Sequence, residues 1–546
     1  MAIEYVQKHP LTALVIVFTI IRLLIANLIN LGNDEVYYFT YAVLPDWNHF
    51  DHPPLVGVFI RIFTVNLHCN QEVFVRMPGI VAAAVNTWLI ARCGMLIKNR
   101  NTGLIAAVLY NTSVYTNILS GIFILPDSVQ LPFWLAALYV MLRCLKATNP
   151  ADIRRYLLLT GLWIGLATMS KVHGVFLWFG LLGFIVFDRR GLLKSPYLYV
   201  SMAITALLVS PVLFWNISND FITWRFHSER VVIGNGGIDI KSFFRTAIGQ
   251  VLYANPFQVA IFLFTGRMVA RGLSVAGAAS VALLYWCSLP IIACTTLVSL
   301  FRDTLPHWSG PGFVGLMLIG AAWADHFISQ GINTLPKKLL HGSVGLILFV
   351  FTIGPILIRS YPGAMSPKPF PHTGAGDATL DITGWEQLLP AFEKLRADDI
   401  ASGQMQPDAP MVVHKWFPGA HIYYHVAYPL GMRTVGVGRL EDLHQFAWLN
   451  QLYGHVAPGA DAWYITPSNN FSDPAEQFAG QFERFEKAGT ITQRRNGQVA
   501  RYWFVYRLRN AMRGLGAAAD DGASRPDHRH RPWTIDHRPW IAARRQ

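Results

Sequence analysis

The sequence predicts a polytopic α-helical membrane protein with a small C-terminal α/β domain outside the cytoplasm, and three observations carry that prediction. Of the 546 residues, 53% are hydrophobic and only 14% charged, where soluble domains carry about a quarter charged residues. Apolar runs recur along the chain up to residue 358, many of them near the roughly 20 residues that cross the hydrocarbon core of a bilayer. Past residue 359 the composition turns polar, and Pro362, Pro367, Pro369 and Pro371 mark a linker.

The candidate spans are 11–31, 77–97, 102–119, 128–145, 156–171, 174–187, 197–216, 250–266, 273–299, 310–328 and 340–358, the fifth and sixth being short. The first is too long for a signal-peptide core and is expected to be a retained helix. The run 55–67 is apolar but short and holds Arg61, which suits a helix lying at the interface. With about eleven spans and the N-terminus inside, the cytoplasmic loops hold Lys98 and Arg100, then Arg143, Lys146, Arg154 and Arg155. The later ones hold Arg189, Arg190 and Lys194, then Arg267 and Arg271, then Lys337 and Lys338. That agrees with the positive-inside rule. A formal charge of +13 spread over such short clusters points to anionic lipid headgroups rather than to nucleic acid. Cys69, Cys93, Cys144, Cys287 and Cys294 show no metal-ligand spacing and no disulfide framework.

The expected organisation is a membrane domain over 1–359, an extracytoplasmic α/β domain over 360–510 and a disordered tail over 511–546. Residues 381–396 have helical spacing through Ile382, Trp385, Leu389, Phe392 and Leu395, and 411–416, 433–437 and 461–466 read as strands. Asn496-Gly497 between two strand-like runs signals a hairpin. The tail is rich in Ala, Gly, Asp, His and Arg, and its repeat of His-Arg-Pro-Trp is given no function. Gly161 and Gly165 have the spacing of close helix packing.

Ionisable residues gather at the outer surface of this topology. The first outer loop holds Asp34-Glu35, Asp46 and Asp51-His52-Pro53-Pro54. Asp127 lies between the third and fourth spans, and Lys171 at the outer end of the fifth. A charge near the bilayer centre costs roughly 2.5–3.5 kcal/mol on insertion scales and less near the interface, so an ionisable group retained between apolar helices implies a counter-charge or a substrate. A later outer loop adds Trp224-Arg225-Phe226-His227-Ser228-Glu229-Arg230, and another Arg302-Asp303 and His307-Trp308. Any one acid or histidine is as readily a polar loop residue or a packed one. Their accumulation on one face is what suggests a catalytic pocket.

The segments NDEVYYFTYAVLPDWNHFDHPPL, ILPDSVQLPFW, GLATMSKVHG and RFHSERV together resemble the bacterial protein O-mannosyltransferase-like family of GT-C glycosyltransferases, whose relatives include the lipid A aminoarabinose transferases. The resemblance covers residues 10–360. It implies that Asp34, with Glu35 beside it, is the catalytic acidic residue of the first loop and Asp127 the second acid. It places Asp51 and His227 where aminoarabinose transferases hold a divalent metal (Zn²⁺, Mg²⁺ or Mn²⁺). His52 falls where those transferases have a phosphate-contacting Lys, and Arg230 near a family Arg. Because His is neutral near pH 7 unless perturbed, donor-phosphate binding would fall more on Lys171, Arg230 or a metal.

The activity so implied is transfer of a sugar from a polyprenyl-phosphate-linked donor to an acceptor on the periplasmic face of the bacterial inner membrane. The acceptor class is lipid A or lipopolysaccharide, another envelope glycan, or protein. A transporter or flippase of lipid-linked sugar is the alternative; weak internal symmetry between halves would favour it, and the sequence shows none. A membrane sensor would leave Asp34, Asp127 and Lys171 without a purpose.

Overall fold

The computed structural model describes residues 8–231, 237–331 and 334–516, the side chains of residues 229–231 excepted. The chain forms two compact units. The first comprises the residues up to Leu28 together with Pro45–Gly354, and the second Ile29–Leu44 together with the chain from Pro355 onward.

In the first unit the apolar runs become helices because a backbone in lipid must satisfy its own hydrogen bonds. Among the described residues, seven helices are long and apolar enough to cross a membrane: Pro10–Leu28, Glu72–Ile97, Pro126–Lys146, Pro196–Ser218, Ala278–Val298, Pro306–Gln330 and Leu335–Ser360, whose end passes the unit's edge. All eleven apolar segments of the sequence fall on helix, and four do not meet that test. The run 102–119 breaks after Arg100–Thr112 and resumes as a π-helical turn, Tyr115–Leu119. Pro150–Ser170 opens on Asp152, Arg154 and Arg155, and Val175–Asp188 is short. The run 250–266 is broken at Asn255-Pro256 into Ile240–Ala254 and Pro256–Ala270, bent by 97°; counted as one span, the pair would be an eighth. Asn255 sits at φ 81° and Pro256 has no N–H to continue the ladder.

Burial sorts these helices. Only 11% of the apolar window of Leu335–Ser360 is buried, against 72% for Pro306–Gln330, so the former offers its sides to lipid and the latter runs through the core. Trp134, Leu138, Tyr110, Ile291, Met317 and Leu318 are part of that core. Arg22 in the first span turns into the bundle, where Nη2 donates to Asn111 Oδ1 at 2.7 Å. Close packing occurs where the glycine spacing places it: a Cβ at Gly161 would strike the Ser201 backbone. The same helix pair is joined by Ser201 Oγ donating to Leu157 O at 2.6 Å and Thr205 Oγ1 to Gly161 O at 2.7 Å, the polar pairing that holds helices together in lipid.

The second unit is built on a five-stranded sheet. Its strands are β1 (Met411–Val413), β2 (Thr434–Gly436), β3 (Ala462–Pro467), β4 (Phe482–Arg495) and β5 (Gln498–Ala511), in the order β2-β1-β3-β5-β4. The β2-β1-β3 half is parallel and the β3-β5-β4 half antiparallel. Asn496 and Gly497 both have positive φ, as a two-residue hairpin turn requires, and join β4 to β5. Helix Leu388–Ala401 is fastened to β5 by Arg507, which pairs with Asp399 through Nε at 2.5 Å and Nη2 at 2.7 Å.

The sequence places residues 29–31 at the end of the first span and the rest of Ile29–Leu44 in the first outer loop of the membrane domain, and in the structure the whole segment belongs to the second unit. Its helix, Asn33–Val43, buries every residue from Glu35 to Val43. The reason is an aromatic face. Tyr37 packs on Trp416 with ring centres 5.3 Å apart, and Phe39 on Tyr424 and Tyr428 at 4.9 and 5.1 Å. At the other end, β5 closes at Ala511 and Leu515 still pairs with Val456; residues 517–546, most of the expected tail, lie outside the described residues.

Candidate active site

In the first unit the site is assembled at helix ends. Pro126 opens helix Pro126–Lys146 with Asp127 in its first turn, where free N–H groups favour a carboxylate. Helix Pro150–Ser170 ends at Lys171, whose backbone is extended, and a C-terminus favours a cation. The two termini meet. Lys171 Nζ lies 2.7 Å from Asp127 Oδ2, both side chains almost fully buried, and the Tyr115 hydroxyl donates to Asp127 Oδ1 at 2.9 Å. Gln130, one turn further on, donates Nε2 to Lys171 O at 2.8 Å and Ala167 O at 3.2 Å, so the terminal carbonyls beneath the lysine are satisfied.

A second group of residues arrives from the loop before helix Leu55–Phe63. Asn48 Nδ2 donates to Thr223 Oγ1 at 2.8 Å, Thr223 Oγ1 donates to His49 O at 3.1 Å, and Phe50 packs on Phe226. These contacts fasten the loop to helix Ile222–Val231 and bring His227 beside Asp51, where Nε2 donates to the Asp51 main-chain oxygen at 2.6 Å. The His52 ring lies 5.7 Å from that of His227, and His52 feels the charges of Asp51, His227, Lys171 and Asp127. Burial pushes the His52 imidazole down to about 3, against the pull of Asp51 in the other direction. It is therefore neutral, a hydrogen-bond donor rather than a cation.

Asp51, His52, Asp127, Lys171 and His227 thus gather in the first unit, and Asp34 and Glu35 lie in the second. Asp34 is exposed at the start of helix Asn33–Val43. Glu35 is buried, and its Oε2 accepts from Gly32 N at 2.8 Å; it caps the helix. The Arg230 side chain lies outside the described residues. His307 is within electrostatic reach of Asp127. Tyr115 and Gln130 were not singled out from the sequence. A signal for Tyr115 was there: Asn111, Thr112, Ser113, Thr116 and Asn117 make its segment too polar for a plain span.

A metal ion at this site would need more donors than the described side chains offer. Asp51 and His227 supply two side chains, His227 Nε2 is already taken by a main-chain carbonyl, and among the described residues no group of three or more His, Cys, Asp or Glu could hold an ion. In this arrangement the residues do not fit a metal ion.

A multi-span helical unit with a buried ion pair at helix ends, together with a mixed α/β unit, is the make-up of a membrane protein of the GT-C fold. The structure of ArnT from Cupriavidus metallidurans bound to undecaprenyl phosphate matches 93% of this chain and 98% of its own, with a TM-score of 0.59 at 12% identity. Its apo form matches with the same TM-score at 13% identity. Residues 51–215 match the dolichyl-phosphate-mannose-protein mannosyltransferase family. A curated relative, the lipid A galacturonosyltransferase RgtD of Rhizobium johnstonii, is 23% identical over 324 residues, which are 58% of this chain and 65% of that protein. The match thus spans less than two thirds of that relative's length.

Proposed function

We propose that this chain transfers a sugar from a polyprenyl-phosphate carrier to an acceptor on the periplasmic face of the bacterial inner membrane. The observation that carries the proposal is the buried Lys171–Asp127 pair with the neutral His52 close by, in a chain with the GT-C fold. A flippase or transporter of lipid-linked sugar is the less favoured reading, since its relatives are named transferases. The acceptor class is a glycolipid such as lipid A or lipopolysaccharide, another envelope glycan, or protein.

The step is a single inverting displacement. An acceptor oxygen bonds to the anomeric carbon, the bond from that carbon to the phosphate oxygen breaks, and polyprenyl phosphate leaves. Lys171 and Arg230 supply positive charge to the departing phosphate and His52 an N–H, since stabilising charge that develops in the transition state is the larger part of such catalysis. Asp127 sets the position of the Lys171 ammonium. Asp34 accepts the proton of an acceptor hydroxyl, worth on the order of 10² to 10⁴ in rate; an acceptor that is itself a phosphate needs no base, and Asp34 then orients it. Glu35 supports the turn that carries Asp34. Asp51 and His227 hold the loop that presents His52.

The reading requires a cytoplasmic N-terminus and a periplasmic second unit, because that assignment leaves Lys98, Arg143, Arg189, Arg267 and Lys337 inside. A reporter active only in the cytoplasm should be silent when fused after Arg509; activity there would overturn the topology. Transfer of label from a polyprenyl-phosphate sugar by the purified chain tests the activity itself.

A further inference from the structure

We infer that His421 and Asp381 of the α/β unit are positioning residues for Asp34, acting through the side chain of Asn33. This deepens the proposed function and rests on Asp34 being the residue that meets the acceptor. Asn33 precedes Asp34 at the start of its helix, and its amide is used at both ends. Nδ2 donates to Asp381 Oδ2 at 3.0 Å, and Oδ1 lies 2.9 Å from His421 Nε2. The carboxylate accepts, so the amide NH₂ faces Asp381 and the carbonyl faces His421. His421 must then carry its proton on Nε2.

The histidine is itself held. Its ring is fully buried and stacks on Trp385 with centres 4.1 Å apart and planes 7° from parallel, and Arg501 covers Trp385 at 3.9 Å. Its Nδ1 has no hydrogen-bond partner among the described residues. So the ring gains nothing from that nitrogen, and its polar work is the bond to Asn33. The backbone on either side is tied to the same place: Asn30 N donates to Ile382 O at 2.9 Å, Trp385 N donates to Asn30 Oδ1 at 3.2 Å, and Gly32 N donates to Glu35 Oε2. A first helical turn frays unless its groups are held. Here a segment far away in sequence holds it, one residue from an exposed carboxylate whose usefulness depends on where it points. Misplacement of a reacting group by about 1 Å can cost on the order of 10² in rate.

The test uses the full-length chain in detergent with labelled polyprenyl-phosphate sugar, comparing Asn33→Ala, His421→Ala, the double variant, His421→Gln and Asp34→Asn, with thermal denaturation of each. Asn33→Ala and His421→Ala should each lower kcat by about 10-fold to 100-fold, with KM for the donor within about twofold because a positioning defect falls on the transition state. The double variant should lose no more than either single one, since both break the same bond. His421→Gln, whose amide can donate in place of Nε2, should recover much of the loss. Normal kcat in Asn33→Ala, additive losses in the double variant, or losses that only follow the unfolded fraction would overturn the inference. If Asp34→Asn is inactive while Asn33→Ala is normal, the positioning role alone fails. If Asp34→Asn is itself fully active, the assignment of Asp34 falls and the inference with it.

Discussion

Replacing Lys171 by Met leaves the Asp127 carboxylate almost fully buried with the Tyr115 hydroxyl in place of a cation. Removing one partner of a buried ion pair costs about 3–5 kcal/mol, whereas removing both in favour of well-packed neutral groups is often close to neutral. The Asp127→Asn/Lys171→Met double variant fits that second case: the Asn can still accept from Tyr115, and Met follows the apolar stem of the lysine. Chemical denaturation in mild detergent should therefore show Lys171→Met destabilised by about 3–5 kcal/mol and the double variant restored to within about 1–2 kcal/mol of the parent. Transfer from a labelled polyprenyl-phosphate sugar should stay down by about 10² in both, because the ammonium that stabilises the leaving phosphate is absent in both. Recovery of transfer together with stability in the double variant would refute the reasoning and make the pair a structural fastening.

Two further outcomes follow from the geometry. Gly310→Ala should lower transfer and destabilise the first unit by about 1–3 kcal/mol, because a Cβ there runs into the ring of Tyr115, whose hydroxyl is on Asp127; parent-like melting and transfer would count against that packing. In the second unit, burial lowers His425 to about 3, His414 to about 4 and His421 well below its ordinary value. Their unfolded value is about 6.5, so their contribution is whole above that pH and is lost as pH falls below it. At pH 5 the unfolded chain binds protons that the folded chain refuses, about 2 kcal/mol for each histidine. Melting should fall clearly from pH 7 to pH 5, and a flat or rising profile would contradict this.

How much of this was legible in the sequence depended on whether the signal was local. The helices were, since a run such as 197–216 contains its own instruction to fold in lipid; so was the hairpin at Asn496-Gly497, whose two residues meet the backbone demand of the turn. Asp127 and Lys171 stood out because a charge among apolar residues implies a counter-charge or a substrate, and each is the other's counter-charge. Broken helices were harder to read. Asn255-Pro256 ends a helix in the middle of a run whose average hydropathy looks uninterrupted, and the π-helical turn that aims Tyr115 at Asp127 depends on the glycine at 310, far along the chain. The placement of Ile29–Leu44 was not legible, because the partners of Tyr37 and Phe39 are Trp416, Tyr424 and Tyr428, and pairwise packing over such separations leaves no mark in periodicity. Glu35 reads from the sequence as half of a catalytic acidic pair, and the bond its carboxylate accepts from Gly32 N is a contact the sequence did not announce.

The central claim is that the chain moves a sugar from a lipid phosphate to an acceptor, with Asp34 taking the acceptor proton. Its most direct test is single-turnover transfer in proteoliposomes from a labelled polyprenyl-phosphate sugar to an acceptor presenting a hydroxyl, with donor binding measured for the parent and for Asp34→Asn. The account predicts label on the acceptor and free polyprenyl phosphate with the parent, and transfer lowered by about 10² or more at unchanged donor affinity with Asp34→Asn. Label that crosses the bilayer still attached to its carrier, with no glycosylated acceptor formed, would contradict it.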